Sequence, residues 1–268
     1  MLKVARSTYY ANGTRKPCNR KKENKTIRKL VLEIYLKSGK RYGATKITEQ
    51  LRKKLFPIIS VNRVSKLMKQ LNIRSIIVKK FRNYRHKQMD DRSFENLVNQ
   101  NFRAEKPNQI WLSDITYIHT IHHGWTYLAS VLDVCTRKIA GYSFSKKMNS
   151  ELVKSALKNA VSNQNNPQKI ILHSDRGSQY TSNSYTEFAT ELGMILSYSR
   201  KGNPFDNAPI ESFHATLKKE EVYLRHYKNF DDAKSSLFEY IEGFYNRNRI
   251  HSAIGYLTPH QFEKTFAS

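Results

Sequence analysis

The feature that most constrains this chain is the run Lys169-Ile170-Ile171-Leu172-His173-Ser174-Asp175-Arg176-Gly177-Ser178-Gln179-Tyr180, in which apolar residues stop abruptly at a carboxylate and a polar loop. A short apolar run bounded by turn residues reads as a buried strand. A buried strand that ends in an acid delivers that acid to a sheet edge, where the ligand sites of α/β folds lie. Two further acids have local contexts that suit the same site. Asp114 falls mid-strand, on the alternating face of Ile110, Leu112 and Ile118. Glu211 falls in the first turn of a helix that opens near Pro209, a residue suited to the first helical positions. At about 100° per residue, Ile210, Phe213, Leu217 and Leu224 form one stripe of that helix, while Glu211 and Lys218 share another side.

The pattern around these acids predicts their scaffold. From Asn108 the apolar period is two, giving strands near 110–118, 125–134 and 137–144 as an antiparallel meander. A helix over 150–161 buries Leu152, Val153, Ala156, Leu157 and Ala160. A strand over 169–174, a helix over 182–192 and a strand over 195–198 follow. The order βββαβαβα in a mixed five-stranded sheet is that of the RNase H-like fold, an α/β architecture expected over 106–225. Residues 226–268, with a helix over 231–245, read as a helical extension packed on that core.

Upstream the composition changes. The net charge of +25 is concentrated in residues 1–105, which hold 28 Lys and Arg against 7 Asp and Glu; residues 106–268 hold 19 against 15. A basic half joined to a near-neutral half points to nucleic acid. Residues 1–22 read as a basic arm. Apolar stripes at Ile27–Tyr35, Ile47–Leu55 and Val64–Leu71, with Ser60 as an N-cap, predict a small all-α helix-turn-helix module over 23–73. Asn62, Arg63, Lys66 and Lys69 then lie on the exposed side of its recognition helix, and a plain three-helix bundle with a solvated basic face is the alternative. Residues 74–105 read as a basic linker, in which Lys79-Lys80-Phe81-Arg82-Asn83-Tyr84-Arg85 suits either a strand of nucleic acid or a solvated tether. Cys18 and Cys135 make neither a zinc finger nor a disulfide framework. Long apolar runs are absent, which argues against a membrane span, and the N-terminus has no signal-peptide core. The expected location is cytoplasmic.

Three carboxylates cannot share a site as bare anions, because each raises the pKa of the others. Divalent cations resolve the conflict. Oxygen ligands suit Mg²⁺ with positions left for phosphate and water, and two ions can serve the attacking and leaving oxygens of an in-line displacement. Asp133 and Asp206 are competing acids that read more easily as turn or capping residues.

Trp111-Leu112-Ser113-Asp114-Ile115-Thr116-Tyr117, His173-Ser174-Asp175-Arg176-Gly177-Ser178-Gln179-Tyr180 and Gly202–Phe213 resemble the three acidic motifs of bacterial insertion-sequence transposases of the retroviral-integrase type, in their catalytic, second-frame product. Between Asp175 and Glu211 lie 35 residues, the spacing of the D,D(35)E group. Lys218 matches that group's lysine near the donor DNA end, His251-Ser252-Ala253-Ile254-Gly255-Tyr256 with Pro259 and Phe262 matches its C-terminal signature, and Arg41-Tyr42-Gly43 opens the second helix of its N-terminal module. The resemblance implies cleavage at terminal inverted repeats with Mg²⁺ or Mn²⁺, two ions per active site, followed by attack of the freed 3′-hydroxyl on another phosphodiester. Asp114, Asp175 and Glu211 are then the catalytic and metal-holding residues, and Lys218, Arg63, Lys66, Lys69 and Arg176 the DNA contacts. The implied partners are double-stranded DNA, both element ends and target, a homo-multimer on paired ends, and a helix-turn-helix product of an upstream frame. The His-His-Cys-Cys zinc module of retroviral integrases is absent from the sequence. A nuclease acting on RNA–DNA hybrids and a non-catalytic DNA-binding regulator or relic of the element are the alternative readings.

Overall fold

A computed structural model describes residues 19–77, 95–200 and 203–266. The basic arm up to residue 18 and the Lys79–Arg85 segment lie outside the described residues. The chain divides into two compact units, residues 1–76 and 77–268.

The first unit holds α1 (Asn19–Lys37), α2 (Ala44–Lys54) and α3 (Val61–Gln70). Their stripes converge: Ile27, Val31 and Ile34 from α1, Ile47 and Leu51 from α2, and Val64, Leu67 and Met68 from α3 are buried. Gly39 and Lys40 end α1 in the left-handed region, at φ 61° and 63°. Ser60 caps α3 by accepting the Arg63 backbone N–H. The start of the segment expected as a linker over 74–105 is held by the first unit. The Tyr35 hydroxyl donates to the Arg74 carbonyl at 2.8 Å and the Ile76 N–H to Lys40 at 3.2 Å.

The second unit is built on one mixed sheet of β1 (Ile110–Thr120), β2 (Gly124–Asp133), β3 (Ile139–Ser145), β4 (Ile171–Ser174) and β5 (Ile195–Tyr198), in the order β3-β2-β1-β4-β5. β1, β2 and β3 form the antiparallel meander; β4 and β5 run parallel to β1. Helix α4 (Ser150–Asn163) covers one face, and its Leu152, Val153, Ala156, Leu157 and Ala160 are buried as the periodicity requires. That contact is backbone-close. A β-carbon on Gly141 of β3 would stand 2.2 Å from the Ala160 nitrogen and 2.6 Å from the Ala156 carbonyl oxygen, so only glycine fits. Helix α5 (Asn183–Glu191) joins β4 to β5, and α6 (Ala208–Glu220) lies on the opposite face, where Ile210, Phe213 and Leu217 are buried. The architecture is the RNase H-like α/β fold with its helical N-terminal module.

Three details depart from the sequence expectation. Leu224 is not on α6, which ends at Glu220. The helix expected over 231–245 is α-helical only as α7 (Phe230–Phe238) and widens into a π-helix over Glu239–Tyr245. The widened turns bring Tyr245 edge-on to Phe213, ring centroids 4.8 Å apart, and set the Asn246 amide on the backbone of Ile139, accepting at 3.0 Å and donating at 3.1 Å. A polar side chain thus continues the ladder at the start of β3. Finally, residues 95–100 dock on the far edge of the sheet: the Tyr198 N–H donates to the Glu95 carbonyl at 2.9 Å and the Leu97 N–H to Ser197 Oγ at 3.0 Å. Helix α8 (Pro259–Lys264) opens with a capping box of Thr258 and Gln261.

Candidate active site

The topology brings the three predicted acids to one end of the sheet. Asp114 lies on β1 opposite Ser130 of β2. β4 runs beside β1 with Ser174 opposite Ser113, so Asp175 leaves its strand level with Asp114. Glu211 stands in the first turn of α6, whose apolar stripe seats the helix over the face that carries Asp114. The loop before α6 is anchored. Asp206, completely buried, accepts from the Arg200 backbone N–H at 2.8 Å, from Arg200 Nε and Nη2 at 3.0 and 2.9 Å, from Asn96 Nδ2 at 2.9 Å and from Gln100 Nε2 at 2.8 Å. These donors, Arg200 first, hold its carboxyl well below the usual range. Asp133 is similarly absorbed, accepting from the Thr136 N–H and hydroxyl and from the Asn108 N–H at 2.7–2.9 Å. Both competing acids are structural.

The other three behave differently. Asp175 Oδ1 accepts the Gly177 N–H at 3.0 Å, and a β-carbon on Gly177 would stand 3.0 Å from that same oxygen. Crowding by the cleft walls, then the negative charge of Asp114, pushes Asp175 up to about 6, against the pull of the Gly177 hydrogen bond. Glu211 is raised by partial burial and then by Asp114 and Asp175. Asp175 and Glu211 nonetheless keep solvent-exposed faces, so the site is open to solvent. Lys218, farther along α6, is lowered by burial while Asp114 pulls it back up. Asp114 therefore acts on each of the other three groups.

One side chain was not anticipated. His214 Nδ1 lies 3.3 Å from Asp114 Oδ2, and its Nε2 lies 3.4 Å from Ser130 Oγ. It spans α6 to the two central strands and orients Asp114, whose other oxygen accepts the Ile115 N–H at 2.8 Å. The only sequence signal was its position three residues after Glu211, on the neighbouring helix face. His173, within the second motif, is buried between Ser197 and Ser199 at 2.8 and 3.1 Å. Burial lowers it to about 4, so it is a neutral bridge between β4 and β5.

The predicted DNA contacts divide. Lys66 and Lys69 are exposed on α3, as is Asn62. Arg63 is a clamp rather than a free cation: Nε and Nη2 donate to Asn24 at 3.0 and 2.7 Å, and Nη2 pairs with Glu23 at 2.8 Å, both on α1. Arg176 Nε donates to the Ser199 carbonyl at 2.9 Å, which pins the loop after Asp175 to the end of β5.

Residues 104–204 and 192–259 match integrase core domain families, and residues 21–81 match an HTH-like domain. A Lactococcus lactis protein, the transposase for insertion sequence element IS904, is 37% identical over 93% of this chain and 98% of its own length. The chain belongs to the insertion-sequence transposases with an integrase core. The Escherichia coli transposase InsF of IS3 is 36% identical over 98% of this chain and 91% of its own. A Shigella sonnei protein of insertion element IS600 is 37% identical over 98% and 96%. A chain of the simian T-cell lymphotropic virus intasome superposes with a TM-score of 0.51 at 16% identity, covering 86% of this transposase and 73% of that chain, which speaks for the fold. The two core matches together take in Asp114, Asp175, Glu211, His214 and Lys218.

Proposed function

We propose that this transposase cleaves DNA at the ends of its element and joins the freed 3′-hydroxyl to a target phosphodiester, with Asp114, Asp175 and Glu211 holding the divalent metal. The observation that carries the reading is the electrostatics of the trio. Three acids on three elements face one cleft, and two of them are raised by burial and by the remaining acids. Acids so placed are costly together without a cation, which supports the reading.

Among the described residues, no group of three His, Cys, Asp or Glu side chains is drawn together tightly enough to enclose an ion. The donor set fits Mg²⁺ or Mn²⁺ held by one or two carboxylates, with water and substrate phosphate completing the shell. Bound as a pair, such ions supply positive charge to the attacking and leaving oxygens of an in-line displacement. The chain's own residues orient the parts. His214 and the Ile115 N–H fix Asp114, the Gly177 N–H fixes Asp175, and the Asp206 hub holds the loop that presents Glu211. Lys218 offers a cation two helical turns beyond Glu211 for a DNA phosphate. Lys66, Lys69 and Arg176 add DNA contacts, with Arg63 shaping the α3 surface by its bond to α1. The working form is a homo-multimer on paired double-stranded ends, assisted by an upstream-frame helix-turn-helix product, at the bacterial nucleoid.

The test is incubation of the full chain with duplexes bearing the element's inverted repeats and a target plasmid. Mg²⁺ should yield 3′-end cleavage and joined products, and a chelator should remove both. Hydrolysis of RNA–DNA hybrid without joining would instead indicate a nuclease, and metal-independent binding with no cleavage a regulator.

A further inference from the structure

The outer half of the β1–β2 hairpin carries aromatic rings that the active-site description leaves unused. Tyr117 pairs in register with Tyr127, and His119 with Trp125. The rings pack edge to face, with centroids 5.4 Å apart for Tyr117 and Tyr127, 5.3 Å for His119 and Trp125, and 6.4 Å for Tyr117 and Trp125. Cross-strand pairing therefore fixes them as one preformed surface. It is an open one: Tyr117 is 47% and Trp125 60% exposed. Every one of these rings carries a polar atom at its edge, which suits a wet contact better than an aliphatic one.

The patch lies on the face of β1 opposite Asp114, beside an edge that the sheet leaves open. β4 ends at Ser174 opposite Ser113, so among the described residues β1 has no strand beside it on that side from Asp114 outward. Tyr117 stands three residues along this stretch, about 10 Å from Asp114 at the usual strand rise and on the other face, so a strand of DNA would pass from one to the other around the open edge, about three nucleotide steps away. The Tyr117 hydroxyl is raised by burial, then by Tyr127, Asp114 and Asp175, which sets it within the field of the acids. Lys147 is exposed just beyond Ser145, the register partner of Tyr127, where a backbone phosphate can meet it.

We infer that Tyr117, His119, Trp125 and Tyr127 form a stacking platform for an unpaired nucleobase of the DNA engaged at the carboxylates, a few nucleotides from the reacting phosphate. Bases stack on aromatic rings with little regard to sequence, and a frayed end gives up a base at least cost. The location of this platform rests on the reading of Asp114 and Asp175 given above.

Trp111 is fully buried, so iodide quenching of tryptophan fluorescence reads Trp125 alone. The full chain in EDTA would be titrated with a blunt duplex and with the same duplex carrying a short unpaired tail labelled with 2-aminopurine. The tailed duplex should protect Trp125 from iodide and lose 2-aminopurine emission, and the blunt one should do so much less. Trp125→Ala should weaken tailed-duplex binding about tenfold, the scale of one stacked base, with blunt-duplex binding unchanged; Trp125→Phe should retain most of it. Trp125 shielded from iodide in the protein alone would mean that a second copy or another part of the chain covers the patch, and would overturn the proposal. So would equal losses on both duplexes. Asp175→Asn should keep the full protection. If it also kept cleavage, the active-site assignment would fail while the platform stood; if protection were absent in both proteins, the platform alone would fail.

Discussion

Glu211 and Glu220 stand at the two ends of α6 and meet opposite surroundings. Glu220 is buried and saturated: Arg249 donates to it through Nε at 3.2 and 3.0 Å and Nη2 at 3.0 Å, and the Tyr240 hydroxyl at 2.9 Å. Glu211 faces Asp114 and Asp175, and its pKa is raised. Asp206 repeats the first pattern and Asp175 the second. Acids whose oxygens are satisfied by donors hold elements together. Acids with few donors that face one another raise one another instead, which favours a cation between them. One helix thus carries an acid tied into the fold and the acid we propose for the chemistry, and the difference lies in the partners.

Substitution separates the two classes. Glu211→Gln should abolish end cleavage and joining in a gel assay while leaving the thermal midpoint unchanged or slightly raised, because it removes repulsion. Arg249→Met should do the reverse in kind, leaving Glu220 buried without its cation. The expected cost is about 3–5 kcal/mol in denaturant unfolding, with activity lost only as the fold is lost. A His214→Ala change lies between the two, since it loosens Asp114 without removing it. It should raise the Mg²⁺ needed for half-maximal cleavage by about 10- to 100-fold, as loss of an orienting partner does, and His214→Asn should recover part of that. Gly141→Ala forces a β-carbon into the α4 backbone and should cost about 1–3 kcal/mol in the same unfolding experiment.

The smallest effect is a pH slope. Asp175 is raised from 3.8 to about 6, so its contribution to apo-protein stability is complete below pH 3.8 and is lost as pH climbs through 6. His173, lowered from 6.5 to about 4, contributes in the opposite sense: its stability is complete above pH 6.5 and is lost as pH falls towards 4. The difference between wild type and Asp175→Asn isolates the first slope, and saturating Mg²⁺ should flatten it, because the metal favours the ionised form. Metal-dependent cleavage should fall as pH drops below about 6 for the same reason.

The chemical class was legible because its signals are local. Alternation places Asp114 on a strand face, an apolar run that stops places Asp175 at a strand end, and Pro209 with the Ile210, Phe213 and Leu217 stripe places Glu211 on a helix. Ser60 as a cap follows from the same short-range rules. What escaped depends on partners distant in the chain. Nothing near His214 announces Asp114 and Ser130, which lie on β1 and β2. Nothing near Arg63 announces Glu23 and Asn24 on α1, so a cation expected on the exposed side of α3 proved to be tied to another helix. Asp206 was recognisable as a structural acid but not as the point joining residues 96 and 100 to the loop before α6. The π-helix at Glu239–Tyr245 has no hydrophobic period that a 3.6-residue reading would catch.

The claim that the mutually repelling acids are the working ones is tested most directly by Asp175→Asn, measured for thermal stability without metal and for end cleavage with Mg²⁺ on the same preparation. The account predicts a midpoint equal to or above that of the wild type, unchanged DNA binding and no cleavage product. Metal-dependent cleavage at the wild-type rate would contradict it.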